Sequence, residues 1–247
     1  MARAAARKRT EDASGFRGFG PRTLDFFRAL AFHQSKAWFE ENRALYEAEV
    51  KAPLEAFVVA LSAACAERGL PLRGEPKSSV FRLHRDIRFS KDKRPYKTNG
   101  GAVLTRDGTK KAQGLLYIHI DPEGCFAASG FYHPEPGELA ALRTAIVARP
   151  DAFRETERHL AAAGIPLGRE GAVSRTPKGC EGATDPDIVA AVRLTSLVVR
   201  RPLSTEEISR PDLVERVADL AADAQPLLRF GWRALDEARG PDGRVMG

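Results

Sequence analysis

From residue 80 to residue 89 apolar and polar side chains alternate. Phe81, Leu83, Ile87 and Phe89 fall on one side at period two, and Arg82, His84, Asp86 and Arg88 fall on the other. A half-buried strand with one wet face has this pattern, so the sequence predicts an interior strand over 80–89 with the four apolar side chains in the core. Arg85 interrupts it by standing among the apolar positions. A guanidinium in a core is costly unless paired, which calls for a carboxylate from another segment or a local bulge. Asp86 faces the opposite side of such a strand and does not meet that need.

Ahead of this stretch the period lengthens to that of a helix. Leu24, Phe27 and Leu30 recur at helical spacing behind Thr23, a candidate cap. Ser35 is placed to cap a second helix whose shared face holds Trp38, Asn42, Leu45 and Tyr46. Pro53 suits the first turn of a third, with Phe57, Leu61 and Cys65 in register and Gly69-Leu70-Pro71 ending it. Core packing is the expected role of Trp38, Phe39 and Tyr46; Asn42 is the polar member of that face able to reach a site.

Beyond residue 100 the alternation returns. Strands are expected over 102–106 and 113–120 around the turn signal Asp107-Gly108, and over 125–132 after the turn Asp121-Pro122-Glu123-Gly124. Ala127, Ala128, Ser129 and Gly130 are small enough to admit another backbone or a ligand closely. Helices resume at Pro136 and Pro150, Asp185-Pro186 opens a short one, and 194–200 reads as the last strand. Ser204 and Glu207 form a capping box before a helical tail that Pro211 and Pro226 break. These elements make one α+β domain over 16–240, a mostly antiparallel sheet flanked by N-terminal and C-terminal helices. A disordered basic arm over 1–15 and a short disordered tail over 241–247 lie outside it.

Charge changes the picture more than composition does. The chain has 247 residues, 43% hydrophobic and 29% charged, enough for one substantial core. Its net charge of +6 is unevenly placed. Residues 77–97 hold Lys77, Arg82, Arg85, Arg88, Lys91, Lys93, Arg94 and Lys97 against Asp86 and Asp92, and residues 1–10 add Arg3, Arg7, Lys8 and Arg9. Everything else is therefore net acidic. Concentrated like charges at one strand end repel unless something negative joins them, which makes this stretch a candidate anion site. Arg82 and Arg88 on the wet face, with Lys93 and Lys97 in the following loop, are placed to clamp phosphate or carboxylate; Arg85, Tyr96 and Asn99 complete the ligand-binding candidates. Asp86 orients the arginines or acts as a general base with His84, the two catalytic candidates. Tyr96 stacks on a ring or packs. In the loop Thr176-Pro177-Lys178-Gly179, Lys178 either faces an anion or belongs to a surface turn.

The stretch FRLHRDIRFSKDKRPYKTNGG resembles the signature of domain-of-unknown-function family 2461. The resemblance continues in FFRALAFHQSKAWFEENRALYEAEVKAPL, YIHIDPEGCFAASGFYHPEP, RTPKGCEGATDPD and VRLTSLVVRRPLS. It implies a fold and a hot region, and no reaction. Three positions depart from the family pattern: His33-Gln34 in place of two asparagines, Cys180 in place of an aromatic residue, and Thr195 in place of a lysine.

Several functions are excluded. His84-Arg85-Asp86 lacks the metal-binding asparagine and the glycine-rich loop of a kinase, and Ser90-x-x-Lys93 stands without the other motifs of penicillin-recognising enzymes. No phosphate-binding Walker loop or dinucleotide fingerprint occurs. His84, His119 and His133 have no metal-ligand spacing with Asp86 or Asp121, so no metal is expected, and the cofactor is left open. Three scattered cysteines fit a reducing cytoplasm, and no apolar run reaches a membrane span. The N-terminus has basic residues with no hydrophobic segment after them and is not read as a secretory signal. Two functions stand: an enzyme or binding protein for a small phosphorylated or carboxylated ligand, and a nucleic-acid-binding module using the same patch with the basic arm. The acidic remainder of the chain favours the first. The pattern leaves the oligomeric state open.

Overall fold

Proline opens helix after helix in this chain, at the turn where a missing N–H costs least. The computed structural model describes residues 15–240. Its first elements are α1 (Pro21–Phe32), α2 (Lys36–Glu41), α3 (Arg43–Tyr46), a π-helical turn (Glu47–Lys51), α4 (Ala52–Glu67) and α5 (Pro76–Ser79). Next come β1 (Gly100–Thr105), β2 (Leu115–Ile120), β3 (Cys125–Phe131), α6 (Pro136–Ala148), α7 (Pro150–Ala162) and α8 (Pro186–Val192). The chain closes with β4 (Leu197–Leu203), α9 (Thr205–Ile208), α10 (Leu213–Asp223) and α11 (Gln225–Glu237). The four strands form one antiparallel sheet in the order β1-β2-β3-β4, and the architecture is α+β. The arm over 1–15 and the tail over 241–247 lie, but for Gly15, outside the described residues.

By contacts the chain gathers into two compact units. Unit 1 spans 15–112 with 116–127 and 201–220; unit 2 spans 113–115, 128–200 and 221–240. In unit 1, α4 packs on β1, all six of whose residues are buried, and the buried residues of α4 include Leu54, Phe57, Val58 and Leu61. Gly101 of β1 keeps the approach to β2 close: a Cβ would stand 2.6 Å from the Tyr117 hydroxyl and 3.0 Å from the Ile118 carbonyl oxygen. In unit 2, α6 and α7 pack on α11, with Phe153 and Phe230 ring to ring at 5.4 Å. There Gly130 adopts φ +134 and lets the Leu197 carbonyl come where a side chain would clash. The close approach expected of the small residues in 127–130 is thus made by a backbone.

Caps follow the sequence with one exception. Ser35 accepts from the Trp38 N–H at 3.2 Å, and Ser204 and Glu207 form their reciprocal box. Thr23 does not cap α1, which starts at Pro21; it lies fully buried and donates its hydroxyl to the Glu49 carbonyl at 2.6 Å. That bond explains the π-helical turn. Pro53 has no N–H to give the Glu49 carbonyl four residues back, so the ladder skips, Ala52 reaches the Glu47 carbonyl, and Thr23 supplies the missing donor. Where a third helix was expected to begin, the helix therefore runs through from Arg43 to Glu67 with one wide turn in it.

The interior strand expected over 80–89 does not form. Val80 pairs with Ala102, and the Phe81 N–H bonds the Gly101 carbonyl at 2.9 Å; the chain then leaves β1. It folds back on itself, with His84 opposite Tyr96, Arg85 N–H on the Pro95 carbonyl at 2.8 Å and Lys97 N–H on the Leu83 carbonyl at 2.9 Å. Of the four apolar side chains only Leu83 is buried; Phe81 and Ile87 are half-buried, and Phe89 is 94% exposed. The wet face is as predicted: Arg82, His84, Asp86 and Arg88 are all exposed. Alternation needs only an extended backbone, and past Arg85 no neighbouring strand remains for the apolar side to meet.

Candidate functional site

Side-chain pairing inside the loop decides which charges are free. Asp86 accepts from Arg88 Nε at 3.0 Å and Nη2 at 2.7 Å, and this guanidinium holds its carboxyl below the usual range. Asp92 lies between Arg94, at 2.7 Å, and Arg85, at 2.5 Å; the Arg94 bonds first, and Arg85 next, hold its carboxyl far below the ordinary value. The partner that Arg85 required thus comes from seven residues along the same loop, not from a distant segment. Lys93 donates to the Ile87 carbonyl at 3.0 Å, and Arg88 lies over the exposed Phe89 ring at 5.8 Å.

Two further cations, Lys97 and Lys110, gather around Phe81. Lys97 Nζ is 5.4 Å from the centre of its ring and Lys110 Nζ is 4.9 Å from it. Lys110 also donates to the Val80 carbonyl at 2.6 Å. Burial, then the charges of Arg82 and Arg85, push Lys97 below the ordinary lysine value; burial, then Lys97 and Arg82, do the same to Lys110. Among the described residues no carboxylate forms an ion pair with Arg82, Lys97 or Lys110.

Beside this cluster unit 1 has a cleft of about 350 Å³. Its apolar lining includes Phe39, Tyr46, Val80, Phe81 and Leu83; its cations are Arg43, Lys51, Lys77, Arg82 and Lys110; and Glu47 and Glu55 are its acids. The π-helical turn supplies Glu47 and Lys51, which pair at 2.7 Å. A wide turn of this kind is rare and recurs at functional sites.

Of the residues the sequence singled out, Arg82 and His84 line the cleft, Lys97 stands over Phe81, and Arg85 adds its field from the Asp92 pair. Arg88 and Lys93 are engaged with Asp86 and the Ile87 carbonyl and do not line it. Asp86 is likewise occupied, and the His84 ring meets Phe39 and Tyr96 at 5.8 and 5.0 Å. Tyr96 is buried and stacks on Phe39 at 4.9 Å, so it packs, and Asn99 is half-buried. Asn42 bonds the Trp38 carbonyl and so serves the helix. Lys178 belongs to unit 2 and does not line the cleft.

Sequence reasoning missed Lys110, Lys51 and Glu55. Lys110 lies 30 residues from Val80, and only the pairing of Val80 with Ala102 brings the loop after β1 alongside. It also missed a polar chain on β2: Tyr117 Oη and His119 Nδ1 are 3.0 Å apart, and His119 Nε2 is 3.4 Å from Asp121. Tyr117 meets the Phe81 ring edge-on at 5.9 Å. The signal was its period-two spacing over 117, 119 and 121. No group of three or more His, Cys, Asp or Glu suited to a metal occurs among the described residues.

The model of a family described as conserved hypothetical protein (DUF2461) matches residues 22–230. The chain belongs to the DUF2461 family. No curated protein and no solved structure matches it. His33, Gln34, Cys180 and Thr195, which differ from what the resemblance leads one to expect, are held within the fold. His33 stacks on Trp38 at 5.3 Å, and Gln34 links the Leu30 carbonyl to the Tyr96 N–H at 2.8 and 3.1 Å. Cys180 is a buried free thiol, and Thr195 donates to the Gly171 carbonyl at 2.8 Å.

Proposed function

We propose that this DUF2461 protein binds a small phosphorylated or carboxylated molecule at the cleft beside Phe81, as an enzyme or as a binding protein, in the cytoplasm. One observation carries the reading: two ammonium groups on one aromatic ring, with Arg82 near, and no carboxylate paired with any of them among the described residues. Each contact with the ring is worth about 0.5–1 kcal/mol and leaves the net charge in place. An anion seated among the three cations offsets the repulsion that adds to burial in holding both lysines below their ordinary value. Arg82 offers a planar fork, and the lysines act as point charges. The three cysteines are free, and no helix among the described residues is long and apolar enough to cross a membrane.

The test is a thermal-shift series with phosphorylated and carboxylated metabolites. Binding to the folded state raises the melting temperature. The shift is expected in the full chain and in a chain lacking residues 1–14, and is expected to vanish in Lys97→Met/Lys110→Met. Oligonucleotide binding that needs the arm and weakens steeply with salt, the slope falling by about one per lost contact, would favour a nucleic-acid module instead.

A further inference from the structure

The cleft holds opposite charges of which only Lys51 and Glu47 form an ion pair with each other among the described residues. Arg82 and Lys110 line it without an ion pair, and so does Glu55, half-buried on α4, among the described residues. Glu47, Lys51 and Glu55 recur every fourth residue along the helix. Lys51 pairs with Glu47, at 2.7 Å, and leaves Glu55 without a salt bridge. Cations and a carboxylate that line one cleft without pairing with each other match a ligand that carries both signs. The intervening lining of Phe39, Val80 and Leu83 suits a short hydrocarbon link, and the volume of about 350 Å³ admits a molecule of that size.

We infer that the ligand is zwitterionic, a phosphate or carboxylate joined to an ammonium group, with the anion at Arg82 and Lys110 and the ammonium at Glu55. This rests on the anion-binding reading above and narrows it. The cations alone favour a ligand without an ammonium, so a preference for the zwitterion reports the carboxylate.

Calorimetry on the full chain with ethyl phosphate and with O-phosphoethanolamine tests it. O-phosphoethanolamine is expected to bind about tenfold more tightly, the size of one charge-assisted hydrogen bond. Glu55→Gln is expected to erase the preference, with ethyl phosphate bound no more weakly than by the wild type because a negative charge has left the cleft. Equal affinities in the wild type, or a preference that survives Glu55→Gln, would overturn the inference while leaving anion binding intact. Failure of both compounds to bind would overturn anion binding and this inference together. The wild-type comparison decides the matter even if the variant does not fold.

Discussion

Lys97 and Lys110 are bases whose charged form the free fold disfavours, through burial first and neighbouring cations second. Between their lowered values and the ordinary 10.5, the unfolded chain holds more protons than the folded one. Stability therefore rises with pH across that window and gains nothing from these groups below it. A bound anion reverses the bias. Sulfate, which does not titrate there, should bind with proton uptake just below 10.5, and its affinity should fall as pH climbs. Calorimetry in buffers of different ionisation enthalpy measures the uptake; release of protons would contradict it. Elsewhere in the stretch, exposure ranks the apolar residues. Leu83→Ala should cost about 2–5 kcal/mol in urea denaturation, and Phe89→Ala should stay within about 0.5 kcal/mol. The period-two pattern treats these two alike, because it records facing and says nothing of what lies opposite.

Among the elements, the π-helical turn is the one that local pattern hides. Pro53 reads as a helix start, and it is one; what it does to the preceding turn depends on Thr23, 26 residues from Glu49. Thr23→Val leaves the Glu49 carbonyl without its side-chain donor and should cost about 1–3 kcal/mol. Pro53→Ala restores a backbone donor, so Thr23→Val should cost less in that background. A double-mutant cycle in urea gives the coupling, and strict additivity would contradict this account of the turn. Helices, turns and the strands over 100–131 were legible because their cues are local: prolines in first turns, the Ser204–Glu207 box, the Asp121 to Gly124 turn. The expected strand over 80–89 failed for the converse reason. Its partners are the segment's own return past Pro95 and, only at its start, β1.

At the scale of the molecule, the basic stretch was visible as charge, and its free part was not. Local carboxylates, Asp86 and Asp92, engage Arg88, Arg94 and Arg85, while Arg82 and Lys97 are joined by Lys110 from beyond β1. Arg82 and Lys97 were named from sequence; the third member and the acids of the cleft required the pairing of Val80 with Ala102 and the course of the helix from Arg43 to Glu67.

The most direct test of the proposed anion site follows the ε-carbon resonances of lysine by NMR as sulfate is added to the full chain. Lys97 and Lys110 are expected to shift together and to saturate, while Lys93, turned to the Ile87 carbonyl, stays in place. Shifts confined to Lys93, or a response in Lys97 and Lys110 that never saturates, would contradict a site centred on Phe81.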